Sequence, residues 1–297
     1  MSTSLSREYD PTVGREDARI TKDDKRKFLK RLYVTDADII RIANCEQRTP
    51  DWYEARKYRL TGSNFGGAAG HHKASQKTPT SLLNDLLWPG KFQGNDATRY
   101  GTNREPLIHT TVETFMQSQR TDPINQDVWL EACGLIVSKE HPWLGVSPDD
   151  FICVYDRRTQ QLDVGLAEYK APFQKKQFYD TCPHYYYDQF QGQMALTRSY
   201  LRLRYSHYTL AERAGTWTKF CVWSPSATQV NSYTFDETYW NELLSQLRVY
   251  YMNQLLPRFI LKERGVLKDG EIDITPVVDI SLPPLDTNTM QLPFVAL

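Results

Sequence analysis

Apolar and polar positions along this chain follow two periods, and the switches between them predict an ordered series of strands and helices. Trp143–Val146 is a short apolar run that reads as a strand. Phe151–Tyr155 is a β-rich run, and Leu166–Lys170 returns as a third strand; polar, turn-forming stretches at 147–150 and 156–161 separate them. The three would form a small antiparallel sheet. Cys133–Ser138 predicts a strand before them, and Leu201–Tyr208 and Thr218–Trp223 predict two more after them. Helices are predicted over Thr80–Trp88, ended by Pro89-Gly90, over His184–Thr197, and over Glu237–Leu256, closed by Pro257. Pro106–Gln117 is another, with Leu107, Ile108, Val112, Phe115 and Met116 on its apolar side and Pro106 at the first helical position. Asp51 would cap a short helix over Trp52–Arg56, and a further helix would begin near Ser63. The charged stretch Lys22–Arg31 predicts a solvated helix.

These elements divide the chain into an N-terminal extension over 1–46, mobile in part, a domain over 47–256, and a tail over 257–297 that holds five of the 16 prolines. A hydrophobic fraction of 40% is enough for a sizeable α/β core. The 36 basic and 36 acidic residues balance, so net charge argues neither for nor against a polyanionic partner. The five cysteines are odd in number, widely spaced and without a Cys-x-x-Cys pair, which argues against a disulfide framework or structural zinc and suits a reducing compartment. No apolar run approaches a membrane span, and the polar Met1–Asp10 lacks a signal-peptide core, so a soluble, intracellular protein is expected.

The chemistry concentrates between 143 and 170. Asp149, in Ser147-Pro148-Asp149-Asp150, and Glu168, in Glu168-Tyr169-Lys170, would offer carboxylate oxygens to Mg²⁺, a hard cation that prefers oxygen. Residues two apart on a strand share a face, so Lys170 would lie beside the metal, near the attacking water or the scissile phosphate. Glu105 is either an acid favoured by a helix N-terminus or a third acid reaching the metal. Thr61 and Ser63 would present hydroxyls and N–H groups to phosphate, with Arg56 adding a bidentate contact. In the helix from His184, Gln189 and Gln193 share one face with Tyr185 and Leu196, and Gln191 lies on another with Tyr187 and Ala195; glutamines beside a site suggest a hydrogen-bonded wall. His71-His72-Lys73 reads as an exposed loop, because adjacent histidines do not face one site on a helix and no third ligand is evident nearby. Lys175 and Lys176 form a basic loop pair able to touch a DNA backbone.

Six segments occur in one order: Trp52-x-x-x-Arg56, Leu60-Thr61-Gly62-Ser63, Gly101-x-x-x-Glu105, Ser147-Pro148-Asp149, Glu168-Tyr169-Lys170-Ala171-Pro172-Phe173 and Gln189-Phe190-Gln191-Gly192-Gln193-Met194. Over roughly residues 47–223 the chain resembles the phage lambda exonuclease family, the YqaJ-type viral recombinases within the PD-(D/E)xK nuclease superfamily. The resemblance implies a restriction-endonuclease-like α/β core, a central mixed sheet flanked by helices. It implies a nuclease using one or two Mg²⁺ ions, replaceable by Mn²⁺, that degrades linear double-stranded DNA from the 5′ end in viral or mobile-element recombination, repair or genome processing. Asp149, Glu168, Glu105 and the Tyr169 backbone carbonyl would hold metal, Lys170 would position or activate water, and Gln191 would stand beside them. Arg56, Thr61 and Ser63 would form the 5′-phosphate pocket. A homotrimer, a single-strand annealing partner, and a host nucleus or cytoplasm for a viral protein follow from the same resemblance.

Two departures matter. Asp150 stands where the family has Gly, which leaves open whether Asp149 or Asp150 is the better ligand, although motif register favours Asp149. Ala171 stands where Cys is common. The iron–sulfur cysteines of the helicase-associated branch are missing. A same-fold endonuclease and a catalytically silent DNA-end-binding protein are the competing readings.

Overall fold

Two neighbouring strands carry apolar side chains on both faces, so the fold has to cover both. The computed structural model describes residues 19–72, 77–89, 94–173, 179, 182–268 and 277–278. In chain order these form β1 (Arg19–Ile20), α1 (Lys22–Lys30), α2 (Asp36–Ala43), α3 (Pro50–Arg56), β2 (Leu60–Thr61), α4 (Phe65–Ala69), α5 (Pro79–Leu87), α6 (Asp96–Ser118), β3 (Gln126–Ala132), β4 (Ile136–Val137), β5 (Leu144–Val146), β6 (Asp150–Asp156), β7 (Gln161–Lys170), α7 (His184–Arg204), β8 (Thr209–Leu210), β9 (Trp217–Trp223), β10 (Thr228–Thr234), α8 (Glu237–Tyr250), α9 (Leu256–Glu263) and β11 (Val277–Val278). Lys175, Lys176, Lys73, the first 18 residues and most of the tail lie outside the described residues.

The main sheet runs β10-β9-β7-β6-β3, with β8 added beside β7. β7 is parallel to β9 and β8 and antiparallel to β6, so the sheet is mixed. Alternation along β7 sends Leu162, Val164 and Leu166 to one side, where they join Phe151, Phe220 and the α7 residues Phe190 and Met194. Ala167 and Tyr169 go to the other side, with Ile152 and Cys221, against Ile108, Val112 and Met116 of α6. Each of these larger buried side chains contributes about 1.5–3 kcal/mol of transfer free energy. A smaller sheet, β2-β5-β4, places Thr61 next to Gly145, just before the strand pair that carries the acids. α4 crosses α7 closely because both supply glycine: a Cβ on Gly66 would lie 2.4 Å from Tyr185, and one on Gly192 would lie 2.3 Å from Phe65.

Several elements differ from their predicted form. Thr49, not Asp51, caps α3, with Pro50 at the first position. α6 begins ten residues before Pro106, capped by Asn95, so Pro106 is inside the helix and Glu105 is not at its start. The helix expected near Ser63 is a 3₁₀ turn, Gly62–Asn64, followed by the five residues of α4. The strand expected at 201–208 is instead the end of α7 and a turn. Tyr200 and Leu201 continue the buried helix face, and Arg202 and Arg204 suit a helix C-terminus. Pro257 opens α9 rather than closing the chain's order: after one wide turn, Tyr251–Leu255, the helix continues to Glu263 with Phe259, Ile260 and Leu261 buried. α1 is solvated on one side only, since Phe28 stacks on Phe259. Strands β3 and β10 were not predicted. All five cysteines are free thiols. Among the described residues no helix is long and apolar enough to cross a membrane.

Candidate active site

Sheet pairing builds the site. Asp150 pairs with Ala167 at the end of the β6–β7 ladder, and the Asp149 N–H donates to the Ala167 carbonyl at 3.0 Å, which puts Asp149 beside Glu168 on the next rung. The Tyr169 N–H donates to Asp149 Oδ2 at 2.5 Å. The N–H and C=O of a strand residue leave on the same edge, so the Tyr169 carbonyl faces the Asp149 side, past the last β6 pair. Burial, then the charge of Glu168, pushes the Asp149 carboxyl well above the ordinary carboxylate range.

Glu168 is buried on the α7 face of β7. One oxygen pairs with Lys170 Nζ and the other accepts from Gln193 Nε2 at 2.7 Å. Burial alone would pull the Lys170 ammonium down. The Glu168 and Asp149 carboxylates outweigh it and hold the pKa above its usual value, so Lys170 is a cation. Its Nζ also lies 5.0 Å from the Tyr186 ring centre. The same alternation sends Asp150 to the opposite face, where it accepts from the Tyr169 hydroxyl at 2.6 Å and lies 2.7 Å from His109 Nδ1. Both of those contacts tie Asp150 into the packing of α6 on the sheet. Of the two aspartates, Asp149 is the one placed with Glu168.

Glu105 faces the same region from α6. It is bound by Arg48 at 2.6 and 2.8 Å, and both line a cavity of about 660 Å³ with Asp149, Asp150, His109 and Tyr169. Arg48 adopts φ 69°, a backbone region uncommon for a non-glycine residue. Arg48 and His109 were not anticipated. His109 is one helical turn from Glu105, a spacing visible in the sequence, whereas nothing in the sequence marks Arg48.

Gln191 lies away from Glu168. Its amide donates to the Thr234 carbonyl at 2.9 Å and accepts from the Asp236 N–H at 2.8 Å, tying α7 to the start of α8. Gln193, two residues on and therefore on another face of the helix, meets Glu168 instead. Arg56, Thr61 and Ser63 behave differently from one another. Arg56 lies 4.2 Å above the Trp52 ring and donates to Thr61 Oγ1 at 2.8 Å. Burial pulls its pKa down to about 10, and no carboxylate pairs with it among the described residues. Thr61 is buried, and Ser63 is exposed on the 3₁₀ turn. The expectation that His71 has no further ligand nearby is corrected: His184 and Asp188 of α7 stand beside it.

A mixed sheet between helices thus brings two acids and a lysine to the end of adjoining strands. The profile of the YqaJ-like viral recombinase domain matches residues 51–199, half of the chain, and the chain belongs to that family. Its fold is similar to that of the alkaline exonuclease LHK-Exo from Laribacter hongkongensis, at 19% identity and a TM-score of 0.50, covering 73% of this chain and 98% of that one. LHK-Exo in complex with dAMP aligns at 16% identity and a TM-score of 0.49, over 74% and 100% of the two chains. A phage-related exonuclease from Haemophilus somnus aligns at 12% identity and 0.42, over 69% and 96%. No curated protein sequence matches the chain significantly.

Proposed function

We propose that the protein is a Mg²⁺-dependent exonuclease that degrades linear double-stranded DNA from the 5′ end, in viral or mobile-element recombination, repair or genome processing. The observation that carries this reading is the convergence of Asp149, Glu168 and Lys170 at one end of β6 and β7, with Glu105 lining the same cavity as Asp149. Asp149, Glu168, Glu105 and the Tyr169 carbonyl are hard oxygen donors and suit Mg²⁺, or Mn²⁺ in its place. When bound, the ion lowers the pKa of water and neutralises charge on the phosphoryl group. Lys170, held as a cation, orients the water or the scissile phosphate oxygen, and Gln193 fixes the Glu168 carboxylate. Arg56, stacked on Trp52 and lacking an acidic partner among the described residues, supports a 5′-phosphate contact with Thr61 and the exposed Ser63. A homotrimer and a single-strand annealing partner belong to this reading on the family resemblance alone.

The test is digestion of end-labelled linear duplexes with 5′-phosphate or 5′-hydroxyl ends, by wild type, Lys170→Ala and Arg56→Ala. Wild type should release label only with Mg²⁺ or Mn²⁺ and stop on EDTA. Lys170→Ala should be inactive, and Arg56→Ala should lose about tenfold of its preference for phosphorylated ends, as expected for one charge-assisted contact. Cleavage of covalently closed circles would move the reading to an endonuclease. Binding without hydrolysis in either metal would move it to a silent end-binding protein.

A further inference from the structure

Away from the acids, α7 carries a second chemical cluster. Asp188 is fully buried, and its oxygens meet His71 Nδ1 at 2.9 and 3.0 Å and the Tyr239 hydroxyl of α8. His184, one helical turn before Asp188, stacks on His71 with ring centres 4.0 Å apart and places Nε2 2.7 Å from the Tyr239 oxygen. Among the described residues no lysine or arginine pairs with Asp188. A buried carboxylate with no lysine or arginine beside it is an expensive arrangement.

The backbone is built to bring these groups together. Gly70, at φ 77°, ends α4 and turns the chain so that the His71 N–H donates to the Gly66 carbonyl at 2.8 Å. Gly66 allows the approach, since a Cβ there would lie 2.4 Å from Tyr185 and 3.0 Å from Asp188 Oδ2. Histidine and aspartate one turn apart on a helix, completed by a histidine from a neighbouring loop, present three donors to one point.

We infer that His71, His184 and Asp188 form a binding site for a borderline transition cation, zinc in the first instance, with Tyr239 beside it. Two imidazoles and one carboxylate form a donor set suited to Zn²⁺ and poorly suited to Mg²⁺. The donor atoms lie within 4.8 Å of one another, and tetrahedral zinc at its usual bond lengths needs about 3.3 Å. Rotation of the exposed His184 ring and a small shift of the loop-borne His71 would close that difference. Asp188 and Gln193 are five residues apart, about 140° around α7, so this site and the acid cluster use different faces of one helix. A bound ion fastens the chain after α4 to α7 and supplies positive charge beside Asp188.

The test uses full-length protein stripped with chelator, reloaded with Zn²⁺ in excess Mg²⁺, desalted, and assayed for metal. Co²⁺ loaded in its place gives a visible ligand-field spectrum. Wild type and Glu168→Gln should both retain a single equivalent of zinc and show the cobalt bands. His184→Ala and Asp188→Asn should lose the bands and at least about 100-fold in affinity, the upper end of what losing even an outer-shell partner costs. His184 is exposed, so its variant keeps the test valid if Asp188→Asn does not fold. Retention of no zinc overturns the inference and leaves a hydrogen-bonded network. So does zinc that is lost in Glu168→Gln and kept in His184→Ala.

Discussion

On the α6 side of the β6–β7 pair, Asp150 is buried between a tyrosine hydroxyl and a histidine ring, and its position is fixed by packing. On the α7 side, Glu168 pairs with Lys170, and burial, then the Glu168 charge, pushes the neighbouring Asp149 carboxyl upward. Burial raises both aspartates, yet Asp150 has hydrogen-bond donors that offset much of the effect, and Asp149 has a like charge as its neighbour. The contrast separates an acid that serves structure from acids under electrostatic load. Two neighbouring buried carboxylates cost folding energy, and their natural counter-charge is a cation brought in from solution.

The largest effect should come from exchanging the two sides. Glu168→Gln should fold normally and lose at least about 10²–10³-fold in rate, since it removes an anionic oxygen donor from the proposed metal site and with it the charge that the ion would neutralise on the phosphoryl group. Asp150→Asn should keep far more activity and instead lose about 1–3 kcal/mol of stability in urea unfolding, because buried partners are left unmatched. An inactive, fully stable Asp150→Asn would break the comparison. Next in size, Gln193→Ala should lower kcat about tenfold by freeing Glu168, whereas Gln191→Ala should leave kcat alone and lower Tm, since it strands the Thr234 carbonyl and the Asp236 N–H.

The smallest effect concerns pH. The folded-state pKa of Asp149 is raised, so its ionisation opposes folding. Without metal, stability should fall as pH rises from the ordinary carboxylate range through that raised value. Mg²⁺ binds the ionised form, so the Tm gained on adding it should grow by a few degrees across the same interval. Asp149→Asn should flatten both curves in calorimetry. A metal-dependent gain that is constant with pH would mean that Asp149 does not carry the load.

The acid strands were legible because local pattern and sheet alternation agree there: Phe151–Tyr155 and Leu166–Lys170 are strands, and Glu168 and Lys170 share a face. The glutamines show where local reading stops. Three at alternate positions announce a wall, but only packing of α7 on the sheet decides that Gln193 meets Glu168 and Gln191 does not. Tertiary context also overrode the prolines. Pro106 and Pro257 both sit inside longer helical runs, held there by apolar side chains such as Ile108 and Phe259. His71 lies 117 positions from Asp188, so no pattern along the chain could join them.

Pro106 has one further consequence. Pro106, one residue after Glu105, cannot donate to the carbonyl four residues earlier, so the rung to Thr102 is missing from α6. Beyond that gap Ile108, Val112 and Met116 hold the helix to the sheet, while most of residues 96–107 lie at the surface. Glu105 thus stands between a segment anchored by buried apolar side chains and one that meets the sheet through Tyr100 and Arg104 against Trp223. Its carboxylate over the cavity is held by the Arg48 guanidinium, so any group that displaces that guanidinium also frees the direction in which Glu105 points.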